Sequence, residues 1–212
     1  LGSKPLSLTF VSVLPENGLP PQHLLVLLHG WGADANDLSP LASILNLPTY
    51  QSIFPNAPFP HPQFSWGRAW YDLERQDYRG LAECRQVLHA WLLSLEAETG
   101  IPLERTILGG FSQGAAMALD VGLSLPVAGL CSLSGYLHFQ PQHLPSSPPP
   151  IFMVHGQQDM VVPIQAAHQA RNELKAIAAQ VEYHELAMGH EIPQLVLQLL
   201  KTFIENHTVR II

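Results

Sequence analysis

Apolar runs rich in β-branched residues alternate along this chain with longer stretches of helical period. That alternation is the signature of a mostly parallel sheet covered by helices on both faces. The runs predict strands over Leu6–Leu14, Leu24–His29, Tyr50–Phe54, Arg105–Gly109, Val127–Leu133, Ile151–His155 and Val181–Leu186. The segment from Pro15 to Pro21 is short enough to join the first two as an antiparallel hairpin, whereas the later strands are separated by helix-length segments that permit parallel crossovers. The sheet is therefore expected to be mixed at one edge and parallel beyond it. Helical periodicity predicts helices over Asp37–Leu45, Gly80–Glu98, Ser112–Ser124, Gln165–Ala179 and Glu191–Asn206. In the second, Leu81, Cys84, Leu88, Trp91, Leu92 and Leu95 recur at three- and four-residue spacing and form one apolar face aimed at the sheet. Two Pro-rich segments, Pro55–Tyr78 and Ser134–Pro150, follow neither period and are expected to be ordered loops, which often carry function in compact domains.

Length and composition narrow the picture. A chain of 212 residues with 47% hydrophobic and 13% charged residues can fill one well-packed domain, expected to span residues 1–212. Its net charge of -7 and lack of a Lys/Arg cluster argue against nucleic acid as a partner. No apolar run is long enough to span a bilayer as a helix, and the first residues lack a charged region leading into a hydrophobic one, so no integral membrane segment and a cytoplasmic location are expected. Cys84 and Cys131, in apolar contexts on separate elements, read as buried thiols rather than a disulfide framework.

Ile107-Leu108-Gly109-Gly110-Phe111-Ser112-Gln113-Gly114 contains the pattern G-x-S-x-G between a predicted strand and a predicted helix. That context suits a nucleophile elbow, a tight turn holding Ser112 above the sheet while flanking glycines let neighbouring backbones approach. A serine hydroxyl is a weak nucleophile, so the reading requires a histidine to take its proton and an acid to orient that histidine. Asp159 follows the strand ending at His155, and His190 stands between the last strand and the last helix, in the Ser, Asp, His order expected on such a sheet. His168 and His184 fall within regular elements, His207 lies near the tail, and Asp120 sits on the helix that Ser112 opens. A tetrahedral oxyanion needs preorganised donors. The Gln113 amide is one candidate, and the Trp31 amide in the turn His29-Gly30-Trp31-Gly32 is the other. His29 and His155, each ending a strand before glycine, read as residues that brace loops.

Five motifs in order, Leu28-His29-Gly30-Trp31-Gly32-Ala33-Asp34, Arg68-Ala69-Trp70-Tyr71-Asp72, Gly110-Phe111-Ser112-Gln113-Gly114, His155-Gly156-Gln157-Gln158-Asp159 and Gly189-His190-Glu191-Ile192, run through nearly the whole chain. In these the chain resembles the phospholipase/carboxylesterase family, which includes the acyl-protein thioesterases. The resemblance implies an α/β-hydrolase fold, a three-layer sandwich around a sheet of about seven strands, without a large lid domain. It also implies hydrolysis of carboxylic esters or thioesters without metal or organic cofactor, with Ser112, Asp159 and His190 as triad and Trp31 and Gln113 as oxyanion donors. The expected partners are a small ester or acyl-thioester substrate or an acylated protein, for a monomer or homodimer. Trp66, Trp70, Tyr71 and Phe111 are candidate substrate contacts, although aromatic loop residues also serve as core anchors. The competing reading is a catalytically silent binding module on the same fold.

Overall fold

The computed structural model describes residues 8–74, 78–141 and 147–208. Seven strands form the main sheet: β1 (Phe10–Val13), β2 (His23–Leu28), β3 (Tyr50–Pro55), β6 (Thr106–Phe111), β7 (Gly129–Leu133), β8 (Ile151–Gly156) and β9 (Val181–Leu186), in spatial order β1-β3-β2-β6-β7-β8-β9. All neighbouring pairs are parallel except β1 with β3. The chain thus starts at one edge, crosses to β2, and winds outward to β9.

Side-chain alternation along β2 divides the core in two. Leu24, Val26 and Leu28 pack with α3 (Leu81–Thr99), α4 (Gln113–Gly122) and α5 (Ile164–Ala176), whereas Leu25 and Leu27 pack with α1 (Ala35–Leu38), α2 (Leu41–Leu45) and α6 (Gln194–Asn206). Successive residues of a strand face opposite sides, so a fully apolar strand serves two helical layers at once. The helical spacing on α3 has the expected result, since all six residues of its apolar stripe are buried.

Several expectations need correction. β1 does not form a hairpin with β2; it lies antiparallel to β3, with Val11 opposite Phe54. The connecting segment crosses the start of β3, where Asn17 Nδ2 donates to Pro48 O at 2.8 Å and the amides of Gln22 and His23 donate to Thr49 O. Of the predicted first strand, Phe10–Val13 is extended and paired, and positions 6 and 7 lie outside the described residues. Asp37–Leu45 is two short helices broken at Ser39-Pro40, because the ring of Pro40 removes an amide donor. The last helix starts at Gln194, just after Pro193, rather than at Glu191. Within the expected loop Pro55–Tyr78, β4 (Phe59–Pro60) and β5 (Arg68–Ala69) form a small antiparallel ribbon.

Candidate active site

Ser112 sits between β6 and α4 at φ 55 and ψ -119, a backbone region that non-glycine residues adopt only when surrounding structure holds them there. The turn is packed too tightly for side chains at its flanks. A Cβ on Gly114 would lie 2.2 Å from Leu28 O, and one on Gly110 would lie 2.5 Å from Gly114 C. Ser112 donates its amide to Leu133 O at 2.9 Å, which ties the turn to β7.

Asp159 and His190 arrive on loops after β8 and β9. The His190 Nδ1 lies 2.7 Å from Asp159 Oδ2. The other carboxylate oxygen accepts the amides of Val161 and Val162 at 2.9 and 2.8 Å. Burial alone would raise the Asp159 carboxyl, but the hydrogen bonds from His190, Val162 and Val161 outweigh it and hold the group below the usual carboxylate range. Gly156 makes the approach of the two loops feasible, since a Cβ there would meet Gly189 O and Met188 O at 2.4 Å. His155 donates to Val162 O at 2.8 Å and closes the turn around Asp159. The aspartate is therefore acceptor-only, and its Oδ2 accepts a hydrogen bond from the Nδ1–H of His190, which leaves the imidazole Nε2 as the basic nitrogen.

Ser112 and His190 line one cavity of about 620 Å³ together with Gly30, Trp31, Phe111 and Tyr136. Its walls also include Leu73, Tyr78, Val161 and Asp37. Burial, and then the neighbouring Asp34, push the Asp37 carboxyl upward.

The turn carrying Trp31 is laced to the rest of the molecule. His29 lies 2.8 Å from Gly30 O through Nδ1 and accepts the Ala57 amide at Nε2, 3.1 Å away. These bonds place its proton on Nδ1, and burial pushes the imidazole down to about 4. Trp70 Nε1 donates to His29 O at 2.8 Å, while Arg68 donates to Ala57 O and Pro58 O. Gln113 is fully buried; its side chain accepts the Trp70 amide at 3.1 Å and donates to Tyr71 O at 2.9 Å. Its own amide opens α4, where first-turn N–H groups lack partners within the helix.

Of the aromatic residues singled out above, Phe111 lines the cavity and its ring lies 4.6 Å from that of His190. Trp70 and Tyr71 are instead wholly buried core anchors. Trp66 is 68% exposed and stacks on Phe64 outside the cavity. Tyr78 and Tyr136, which sequence reasoning passed over, line the cavity; the only hint of Tyr136 was its place just past the carboxyl end of a parallel strand.

Over residues 11–208 the chain matches the family model described as Phospholipase/Carboxylesterase. Acyl-protein thioesterase 1 of Neurospora crassa is 31% identical over 186 residues, which cover 76% of this chain and 74% of that protein. The crystal structure of esterase PE8 is 32% identical, with a TM-score of 0.83 over 94% of this chain and 99% of that one. A Bacillus cereus carboxylesterase structure, 16% identical with a TM-score of 0.80 over 94% of each chain, shares the fold.

Proposed function

Because this chain belongs to the phospholipase/carboxylesterase family of α/β-hydrolases and is a hydrolase of the carboxylic ester or thioester type, we propose that it works through Ser112, His190 and Asp159 and an acyl-enzyme intermediate. The observation that carries this reading is the Asp159–His190 contact of 2.7 Å beside a cavity that Ser112 enters from a strained turn. Ser112 Oγ attacks the acyl carbon while His190 Nε2 takes its proton. Asp159 holds the tautomer and balances the imidazolium as it forms. The amides of Trp31 and Gln113 meet the developing oxyanion. His190 then hands the proton to the leaving oxygen or sulfur, and water reverses the relay to free the acid.

A cavity of about 620 Å³ with Phe111, Leu73 and Val161 in its walls suits a medium or long acyl chain. Trp70 and Tyr71 act on substrate only indirectly, by holding the Trp31 turn and Gln113. The substrate is a small ester, an acyl thioester or an acylated protein, processed by the whole chain as one domain. Among the described residues, no helix is long and apolar enough to cross a membrane. The described cysteines are free and buried, which fits a reducing, cytoplasmic setting.

Ser112→Ala is expected to abolish covalent labelling by a fluorophosphonate and to bring p-nitrophenyl ester turnover to background. Labelling that survives the substitution would overturn Ser112 as the nucleophile, and an unsubstituted chain that takes no label would return the protein to the silent-module reading.

A further inference from the structure

The wall of the catalytic cavity carries a charge that the hydrolysis itself does not use. Among the described residues that line it, Asp37 is the single carboxylate, and no lysine or arginine joins it. The other titratable side chains in that wall are His190, Tyr78 and Tyr136. Apart from Ser112, the rest is apolar or glycine.

Local structure fixes where that carboxylate stands. Asp37 belongs to α1, whose Ala35 and Leu38 are buried in the core layer of Leu25 and Leu27. The turn is pinned at its start: Asn56 Oδ1 accepts the Ala35 amide and Asp34 Oδ1 accepts the Asn36 amide, each at 2.8 Å. Among the described residues, the Asp37 carboxylate has no hydrogen bond or ion pair of its own. The charge that acts on it is that of Asp34, another carboxylate. An anion partly withdrawn from water and set near a second anion is disfavoured on both counts, which is why its carboxyl is raised. A cation brought beside it relieves both. Asp159 offers the contrast, since two amides and an imidazole already satisfy its oxygens.

We propose that Asp37 is a specificity residue that favours substrates carrying a cationic group, an ammonium or guanidinium, in the part that fills the cavity, and disfavours those carrying a carboxylate there. The inference rests on reading this cavity as the acyl site. Coulomb attraction depends on separation rather than on the direction of a lone pair, so the preference needs no particular orientation of the carboxylate. Asp37 keeps part of its surface in solvent, and the preference is therefore sensitive to salt.

The test uses p-nitrophenyl esters of acyl chains that end in trimethylammonium, in carboxylate or in a neutral tert-butyl group, over a series of chain lengths. At the length that brings the end group beside Asp37, kcat/KM is expected to be about tenfold higher for the cation than for the carboxylate. Asp37→Asn is expected to bring that ratio to about one and Asp37→Lys to reverse it. A purely structural loss would instead lower all three esters together and leave the ratio in place. Raising salt from about 0.01 M to about 1 M shortens the screening length from about 30 Å to about 3 Å. In the unsubstituted protein this is expected to flatten the ratio, a reading that needs no variant to fold. Equal use of cation and carboxylate at every length, or preference for the carboxylate, would overturn the proposal. So would a ratio that survives Asp37→Asn, which would belong to the net charge of -7. The neutral ester reports hydrolysis itself, so a failure of the hydrolase reading is told apart from a failure of the Asp37 reading. Binding of the corresponding methyl ketones, measured by calorimetry, reads the same preference without turnover.

Discussion

Two aspartate–histidine pairs in this protein, Asp159–His190 and Asp120–His138, share a distance of 2.7 Å between imidazole Nδ1 and carboxylate Oδ2, but only the His190 pair has hydrogen-bond geometry. They differ in what lies beyond. The His190 side chain keeps 16% of its surface exposed and lines the Ser112 cavity, whereas the His138 side chain is wholly enclosed and passes its Nε2 to Tyr71. The Asp–His contact therefore does not by itself make a catalytic base. A base needs an accessible Nε2 with a reacting group to serve, and a buried pair whose Nε2 is already engaged can only orient its neighbours.

Parallel substitutions break this comparison most strongly. Asp159→Asn, which upsets the tautomer of His190, is expected to lower kcat by about 10⁴, measured on a p-nitrophenyl ester. Asp120→Asn is expected to keep kcat within about an order of magnitude and to lower unfolding free energy by about 3 kcal/mol, read from urea denaturation. Comparable kinetic losses in the two variants would mean that the pairs are not distinct in role.

His29, another buried imidazole, bonds backbone groups where His138 and His190 lie against carboxylates, and it sharpens the contrast through pH. In the unfolded chain it takes a proton near the ordinary imidazole value of 6.5, but in the folded protein only at about 4. The unfolded state thus binds more protons between those values, and stability falls as pH falls through that window, levelling off below it. From pH 7 to 5 the His29 contribution is on the order of 2 kcal/mol. Urea unfolding at the two pH values, compared with the same pair of measurements on His29→Gln, isolates that share; an unchanged difference would contradict the assignment.

The smallest effect is expected where the two networks meet. Gln113→Ala keeps the amide proposed for the oxyanion but strands the buried Trp70 N–H, for a loss of about 1 to 2 kcal/mol in thermal or urea unfolding. A kinetic loss as large as that of Asp159→Asn would assign the side chain a direct part in the chemistry.

What could be read from the sequence follows from what is local. The stripe on α3, the apolar strands and the G-x-S-x-G turn are periodicities and short motifs, and each lies where expected. The proximity of Asp159 to His190 could be inferred from their order along the chain, because loops after successive parallel strands emerge at the same end of the sheet. The neighbour of β1 could not, since a seven-residue connection does not say whether a strand returns beside its predecessor or crosses β3. Trp70 and Tyr71 resembled cavity residues because an aromatic loop side chain has the same composition signal whether it faces a ligand or the core. The Asp120–His138 pair left no trace either. It joins a helix, a loop after β7 and the segment around Tyr71, and no spacing encodes that meeting.

The central claim is that acyl transfer passes through the hydroxyl of Ser112. Acid quenching during turnover of a slowly deacylating p-nitrophenyl ester, followed by peptide mass mapping, tests it most directly. The expected result is one acyl adduct on the peptide carrying Ser112, accumulating in step with the burst of p-nitrophenol. A burst with the acyl group on another residue, or the same adduct in Ser112→Ala, would contradict the account.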